Sequence, residues 1–144
     1  MAESIVTEQN RVLRYRHSDY GFAYDLQTGR FSIVASPGLR IGDAVSRVEF
    51  TDPAPCALET CSATERSWES GDEDGAVLLR VVNEFARGFR IHQWFRFLPE
   101  RSSVHMRCAF ENAGAEAEPL LISLKPLHIE NQAELCIGTG LKHW

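Results

Sequence analysis

The residue types with most chemical potential fall within one short stretch. Arg90, His92, Trp94 and Arg96 alternate with Phe89, Ile91, Gln93, Phe95 and Phe97, and His105 and Arg107 follow soon after. Strict alternation places successive side chains on opposite faces of a strand, so the basic and aromatic groups share one face. An indole flanked by guanidinium groups can form a cation–π pair, in which Trp94 stacks under Arg107 or Arg96. The same stripe could pack on a second sheet or on another domain. Its third use is as a sugar platform: an aromatic face takes the apolar side of a pyranose ring while Arg binds hydroxyls. Trp94, Arg96, Arg107 and His105 are accordingly the candidate carbohydrate-binding residues.

Other chemistries find no complete residue set. Asp72-Glu73-Asp74 lies between two glycines and reads as a solvated hairpin tip. It lacks the distant Glu of a calcium loop. Glu130 and Glu134 flank the last strand without a visible acid–base partner, and a glycosidase needs two carboxyl groups in defined roles. His17, His92, His105, His128 and His143 show no metal-ligand spacing, and an Arg opposite His105 disfavours a cation. There is no Gly-x-Ser-x-Gly elbow and no Cys-x-x-Cys pair. Cys56 and Cys61 would face opposite ways on one straight strand. Gly138-Thr-Gly140 lacks the spacing and the Lys of a phosphate loop. The sequence therefore implies no catalytic residue, no metal and no cofactor.

Composition narrows the partners. Lys and Arg number 15 against 20 Asp and Glu, a net charge of −5. That balance argues against nucleic acid, whose binders need a basic face. The polar, acidic start is unlike a secretory signal, and no apolar run approaches the roughly 20 residues of a membrane helix. Cys108 occupies an apolar strand position, as a buried free thiol does. Cytoplasmic localisation is the simplest expectation.

The elements that must position the stripe are strands. With 144 residues, 44% of them apolar, the chain suits one domain with a single core. Phe89 to Leu98 and Ser103 to Asn112 form a hairpin around Pro99-Glu100-Arg101-Ser102. Its loop length pairs Leu98 with Ser103, so Phe97 faces Val104, Phe95 faces Met106, Ile91 faces Phe110, Trp94 faces Arg107 and Arg96 faces His105. A one-residue slip would set Phe against Arg along the whole ladder. Gly21–Gly29 reads as a short strand ending in a turn, and further strands are expected at Phe31–Ala35, Leu39–Phe50, Cys56–Glu69, Ala76–Phe85, Leu120–Ile129 and Leu135–Ile137. Turns are expected at Pro37-Gly38 and Gly71–Gly75, a joint at Asp52-Pro53-Ala54-Pro55, and a loop at Asn112–Pro119. No convincing helix is present. Many short strands with regular turn signals imply an all-β antiparallel sandwich spanning 1–144 as a single domain.

Several segments carry a family resemblance. In order they are Gly29-Arg-Phe-Ser-Ile-Val34, Gly38-Leu-Arg-Ile-Gly-Asp-Ala44, Val77-Leu-Leu-Arg-Val-Val82 and Gly88-Phe-Arg-Ile-His-Gln-Trp-Phe-Arg-Phe97. Ser103-Val-His-Met-Arg-Cys-Ala-Phe-Glu-Asn112 and Leu121-Ile-Ser-Leu-Lys-Pro-Leu127 complete the set. From about Tyr20 onward the chain resembles the N-terminal β-supersandwich domain of α-galactosidase-like (melibiase-type) glycoside hydrolases, which is similar to the galactose-mutarotase-like fold. The resemblance implies a supersandwich-like domain, cut short, whose catalytic aspartates would lie on a following barrel not contained in this chain. The expected role is thus non-catalytic: packing on a catalytic barrel, shaping substrate access and supporting self-association. Two alternatives remain open, a free-standing carbohydrate-binding module using the Trp94 stripe and a structural or oligomerisation domain.

Overall fold

Alternation in the sequence becomes two antiparallel sheets in the computed structural model, which describes residues 5–35, 38–51, 54–114, 120–129 and 135–136. Pro37, Asp52, Pro53, most of the Asn112–Pro119 loop, Glu130, Glu134, Ile137, Gly138-Thr-Gly140 and His143 lie outside these residues. The first sheet is built from β1 (Thr7–Gln9), β2 (Val12–Arg16), β3 (Tyr20–Asp25), β4 (Arg30–Ala35), β5 (Leu39–Thr51), β6 (Pro55–Glu59), β11 (Leu120–His128) and β12 (Leu135–Cys136). β1 to β5 follow one another across it. β6 and β11 flank the second half of β5, while β4 and β12 flank its first half. The second sheet has the order β10-β9-β8-β7, from β7 (Glu65–Glu73), β8 (Ala76–Glu84), β9 (Phe89–Leu98) and β10 (Ser103–Asn112). Among the described residues the only helical pieces are two single 3₁₀ turns, Thr60–Ser62 and Ala86–Gly88.

The β9–β10 register is the one that alternation implies. Phe97 pairs with Val104, Phe95 with Met106, Ile91 with Phe110, Trp94 with Arg107 and Arg96 with His105. Three expectations need correction. Cys56–Glu69 is not one strand: it divides into β6, a 3₁₀ turn and β7, so that the chain leaves one sheet for the other. β7 runs on to Glu73, which reduces the expected Gly71–Gly75 turn to Asp74 and Gly75, with φ of 50° and 80°. Two successive residues at positive φ match the twist of the flanking strands. Near the N-terminus, β1 and β2 form an additional hairpin about Asn10 and Arg11, also at positive φ.

Apolar faces of the two sheets meet in two clusters. Leu13, Tyr15, Phe22, Tyr24, Phe31 and Ile33 pack on Val77, Leu79, Val81, Phe95 and Phe97. Tyr15 stacks on Phe97 with ring centroids 4.2 Å apart, and Phe31 meets Phe95 edge-on at 5.0 Å. Each such pair contributes about 0.5–1.5 kcal/mol beyond area burial. The second cluster sets Val48 and Phe50 against Phe85, Phe89, Ile91 and Cys108.

A polar row separates the clusters. Ser46, Asn83 and Gln93 each lie one inward position from either cluster on β5, β8 and β9, and all three are buried. Tyr24 Oη donates to Gln93 Oε1 at 2.5 Å, and Asn83 Nδ2 donates to the same oxygen at 2.9 Å. Gln93 Nε2 donates to Ser46 Oγ at 2.9 Å, and Ser46 Oγ donates to the Pro126 carbonyl at 2.7 Å. Arg66 closes the row. Its Nε donates to Asn83 Oδ1 at 3.1 Å, and its other nitrogens donate to the carbonyls of Leu26, Gln27 and Thr60. The close approach requires a glycine at 29: a Cβ there would lie 2.2 Å from the Thr60 carbonyl oxygen, and φ is +68°.

Gln93→Leu should destabilise the fold by about 2–4 kcal/mol, because it strands the buried polar atoms of Tyr24, Asn83 and Ser46; urea unfolding of the two proteins checks this. Burial also pushes the phenols of Tyr24 and Tyr20 far above their usual range and raises the Cys108 thiol. Each group then keeps its proton in the folded chain at a pH where the unfolded chain has released it. Stability should therefore hold up to about pH 9 and fall progressively above pH 10. Thermal melts of the wild type and of Tyr24→Phe, which should show a shallower alkaline decline, test the sign.

Candidate functional site

β9 carries the centre of the site because its inward residues are committed to the core. Phe89, Ile91, Gln93, Phe95 and Phe97 are buried, so His92, Trp94 and Arg96 stand on the outer face of the four-stranded sheet. The neighbouring strands bring Arg80 and Arg107 level with Trp94, and Leu78 and His105 level with Arg96. The stripe therefore faces away from the other sheet and does not pack on it.

Cation–π contact organises the middle of this face. The Arg107 guanidinium carbon lies 4.3 Å from the Trp94 ring centroid, and that of Arg80 lies 5.9 Å away on the other neighbouring strand. The His92 ring stacks near the indole, with centroids 5.7 Å apart and planes 16° from parallel. Arg80 is also held through Nη1 by Glu69 at 3.2 Å and through Nη2 by His92 Nδ1 at 3.1 Å. An arginine can only donate, so Nδ1 accepts and His92 carries its proton on Nε2, which donates to Glu111 Oε1 at 2.7 Å. That hydrogen bond, reinforced by Arg90, holds the Glu111 carboxyl below the usual range. Arg90 itself pairs with Glu84 at 3.0 Å.

Trp94 stands as a ridge between two concavities. One, of about 350 Å³, is lined by Trp94, Arg96, His105, Arg107, Glu73 and Leu78, together with Met106. The other, of about 530 Å³, lies towards β7, bordered by Glu69, Asp72, Glu73 and Arg80. All four candidate residues from the sequence thus line one groove. The Nε of Arg96 is buried there without a hydrogen-bond partner. Glu73 and Leu78 also belong to the groove, and Arg80 anchors its far side. Glu73 was hidden because Asp72-Glu73-Asp74 reads as a solvated tip. Arg80 was hidden inside the apolar run Val77–Val82, where one charged residue was the available signal.

A second polar cluster resembles a nucleophile site by residue type alone. His17, Asp19 and Ser102 converge where the β2–β3 turn meets the β9–β10 turn. Ser102 Oγ donates to Asp19 Oδ2, not to His17. His17 Nδ1 accepts the Asp19 backbone N–H at 3.0 Å, and Nε2 donates to the Pro99 carbonyl at 2.9 Å. Both imidazole nitrogens are spent, so the trio is a clasp between the sheets rather than an activated hydroxyl. Among the described residues no group of three or more His, Cys, Asp and Glu is placed to hold a metal ion. Among them, too, no helix is long and apolar enough to cross a membrane.

No family model, curated protein or solved structure matches the chain.

The hydrogen bonds around His92 predict a single Nε2–H tautomer near neutral pH. Nitrogen-15 NMR of the imidazole side chains should show one pyrrole-like and one pyridine-like nitrogen for His92, and Arg80→Ala should mix the tautomers. A mixed population in the unsubstituted protein would refute the arrangement.

Proposed function

We propose that this chain is an accessory, non-catalytic β-sandwich domain that holds carbohydrate on the outer face of its four-stranded sheet, in support of glycoside hydrolysis by an α-galactosidase-like catalytic barrel. One observation carries the binding half: Trp94, Arg96, His105 and Arg107 border a single groove of about 350 Å³. Its indole offers an apolar flank and its guanidinium and imidazole groups offer donors for hydroxyls. Arg107 lies over the indole, so a ring enters beside it or displaces it. The barrel half rests on the resemblance carried by Gly29–Val34, Gly38–Ala44, Gly88–Phe97 and Ser103–Asn112. Free Cys56, Cys61 and Cys108 suit a reducing, cytoplasmic setting.

A packing role has its own support. Leu121, Ile122 and Leu124 are 45%, 53% and 37% exposed, so both faces of β11 present apolar side chains. Among the described residues β11 pairs as a strand only with β5 and lies close to β10 of the other sheet, so its exposed apolar side chains are what a barrel or a second copy would cover. Light scattering separates the two partners: a monomer at high concentration counts against self-association.

Titration with galactosides should change tryptophan emission in the wild type, and Trp94→Ala should abolish the change while leaving the thermal melt in place. A Trp68→Phe, Trp144→Phe double variant that keeps the response assigns it to Trp94. A flat titration with an intact fold would defeat the binding half.

A further inference from the structure

We infer that the Trp94 groove selects an acidic sugar, a pyranose carrying a carboxylate or a phosphate, with the oxyanion held between Arg96 and Arg107. This rests on the carbohydrate reading above and narrows it to a ligand class. The arginines on or beside the outer face and the polar row differ in how their donors are used. Arg47 is paired with Glu59 and Glu49, Arg80 with Glu69, Arg90 with Glu84 and Glu111, and Arg66 with Asn83 and three carbonyls. Among the described residues Arg96 and Arg107 form neither an ion pair nor a hydrogen bond; Arg96 is half-buried, and its Nε, like the Nε of the otherwise paired Arg80, is fully shielded. Leaving a shielded guanidinium donor without an acceptor is unfavourable, and a ligand oxygen removes that cost. The Arg107 guanidinium lies over the indole, and among the described residues none of its N–H donors is hydrogen-bonded.

The placement suits one oxyanion. Arg107 lies opposite Trp94 and Arg96 opposite His105, which makes the two arginines diagonal neighbours across β9 and β10. Diagonal side chains start about 7–8 Å apart, a span that two guanidinium heads can close around a single carboxylate or phosphate. His105, directly across from Arg96, is a third donor. Among the described residues Glu73 is the one carboxylate on the groove, and it pairs with neither arginine. In a chain of net charge −5 this is a local cationic pocket beside an aromatic wall. A neutral sugar would leave both guanidinium groups uncompensated; inorganic phosphate would leave the indole unused.

Calorimetric titration tests this with galactose, galacturonate, galactose 6-phosphate and inorganic phosphate, each at low and at about 0.3 M salt. At least one acidic sugar should bind about tenfold more tightly than galactose and weaken as salt screens the pair. Whether galacturonate or galactose 6-phosphate does so identifies the anion. Arg96→Gln should erase the preference with an unchanged melting temperature. Glu73→Gln should strengthen acidic-sugar binding and is the complement if Arg96→Gln fails to fold. Equal binding of galactose and both acidic sugars would overturn the selectivity and leave the carbohydrate reading standing. Inorganic phosphate binding as tightly as either acidic sugar would overturn the ring contact and that reading with it. No binding of any of the four would overturn both.

Discussion

Gln93 is the residue around which the two sheets are assembled. Its amide accepts from Tyr24 on β3 and Asn83 on β8, and donates to Ser46 on β5. A buried amide left without these partners would be strongly unfavourable, and the partners are equally dependent on it. The row thus acts as a key: the sheets can be superposed in register in one way that satisfies every member, while apolar contacts alone would tolerate small slides. Arg66 caps the row from β7, the edge strand, and its carbonyl acceptors come from the turn after β3 and the segment before β7. One guanidinium therefore holds two loops and the second sheet together.

The same constraint places the candidate site. Because Gln93 must point inward, its neighbours His92 and Trp94 must point outward, and period-2 geometry carries Arg96 with them. β9 sits between β8 and β10, so its outer face receives side chains from both sides: Arg80 and Leu78 from one, His105 and Arg107 from the other. An interior strand is the best support for a binding group, since its backbone is fixed by two ladders. Trp94 is accordingly held by a rigid platform and by the stacking of Arg107.

Electrostatics then distinguishes the two flanks of Trp94. Towards β7, Arg80 is neutralised by Glu69 and tied through His92 to Glu111, although its Nε, like that of Arg96, is buried without a hydrogen-bond partner. Towards β10, Arg96 and Arg107 have no ion-pair partner among the described residues. The asymmetry arises on one sheet within two strand spacings. It follows from which outward positions of β7, β8 and β10 carry acids.

Much of this was written locally. Alternation over Phe89–Leu98 and Ser103–Asn112, joined by a four-residue loop, sufficed for the hairpin, its register and the four groove residues, because a slip by one would bury arginine against phenylalanine. What alternation cannot convey is partnership between strands distant in sequence. The break of Cys56–Glu69 into two strands on different sheets and the recruitment of Glu73 and Arg80 to the groove depended on such partnerships. Gln93 shows the division most clearly. In the sequence it is one polar residue spoiling an apolar face. Its meaning comes from Asn83, 10 positions away on the neighbouring strand, and from Tyr24 and Ser46, 69 and 47 positions away, which meet it only when the sheets close. Side-chain period is a local property of the backbone and can be read along the chain; hydrogen-bond satisfaction in a dry core is a property of the packed assembly, and only the tertiary structure decides it.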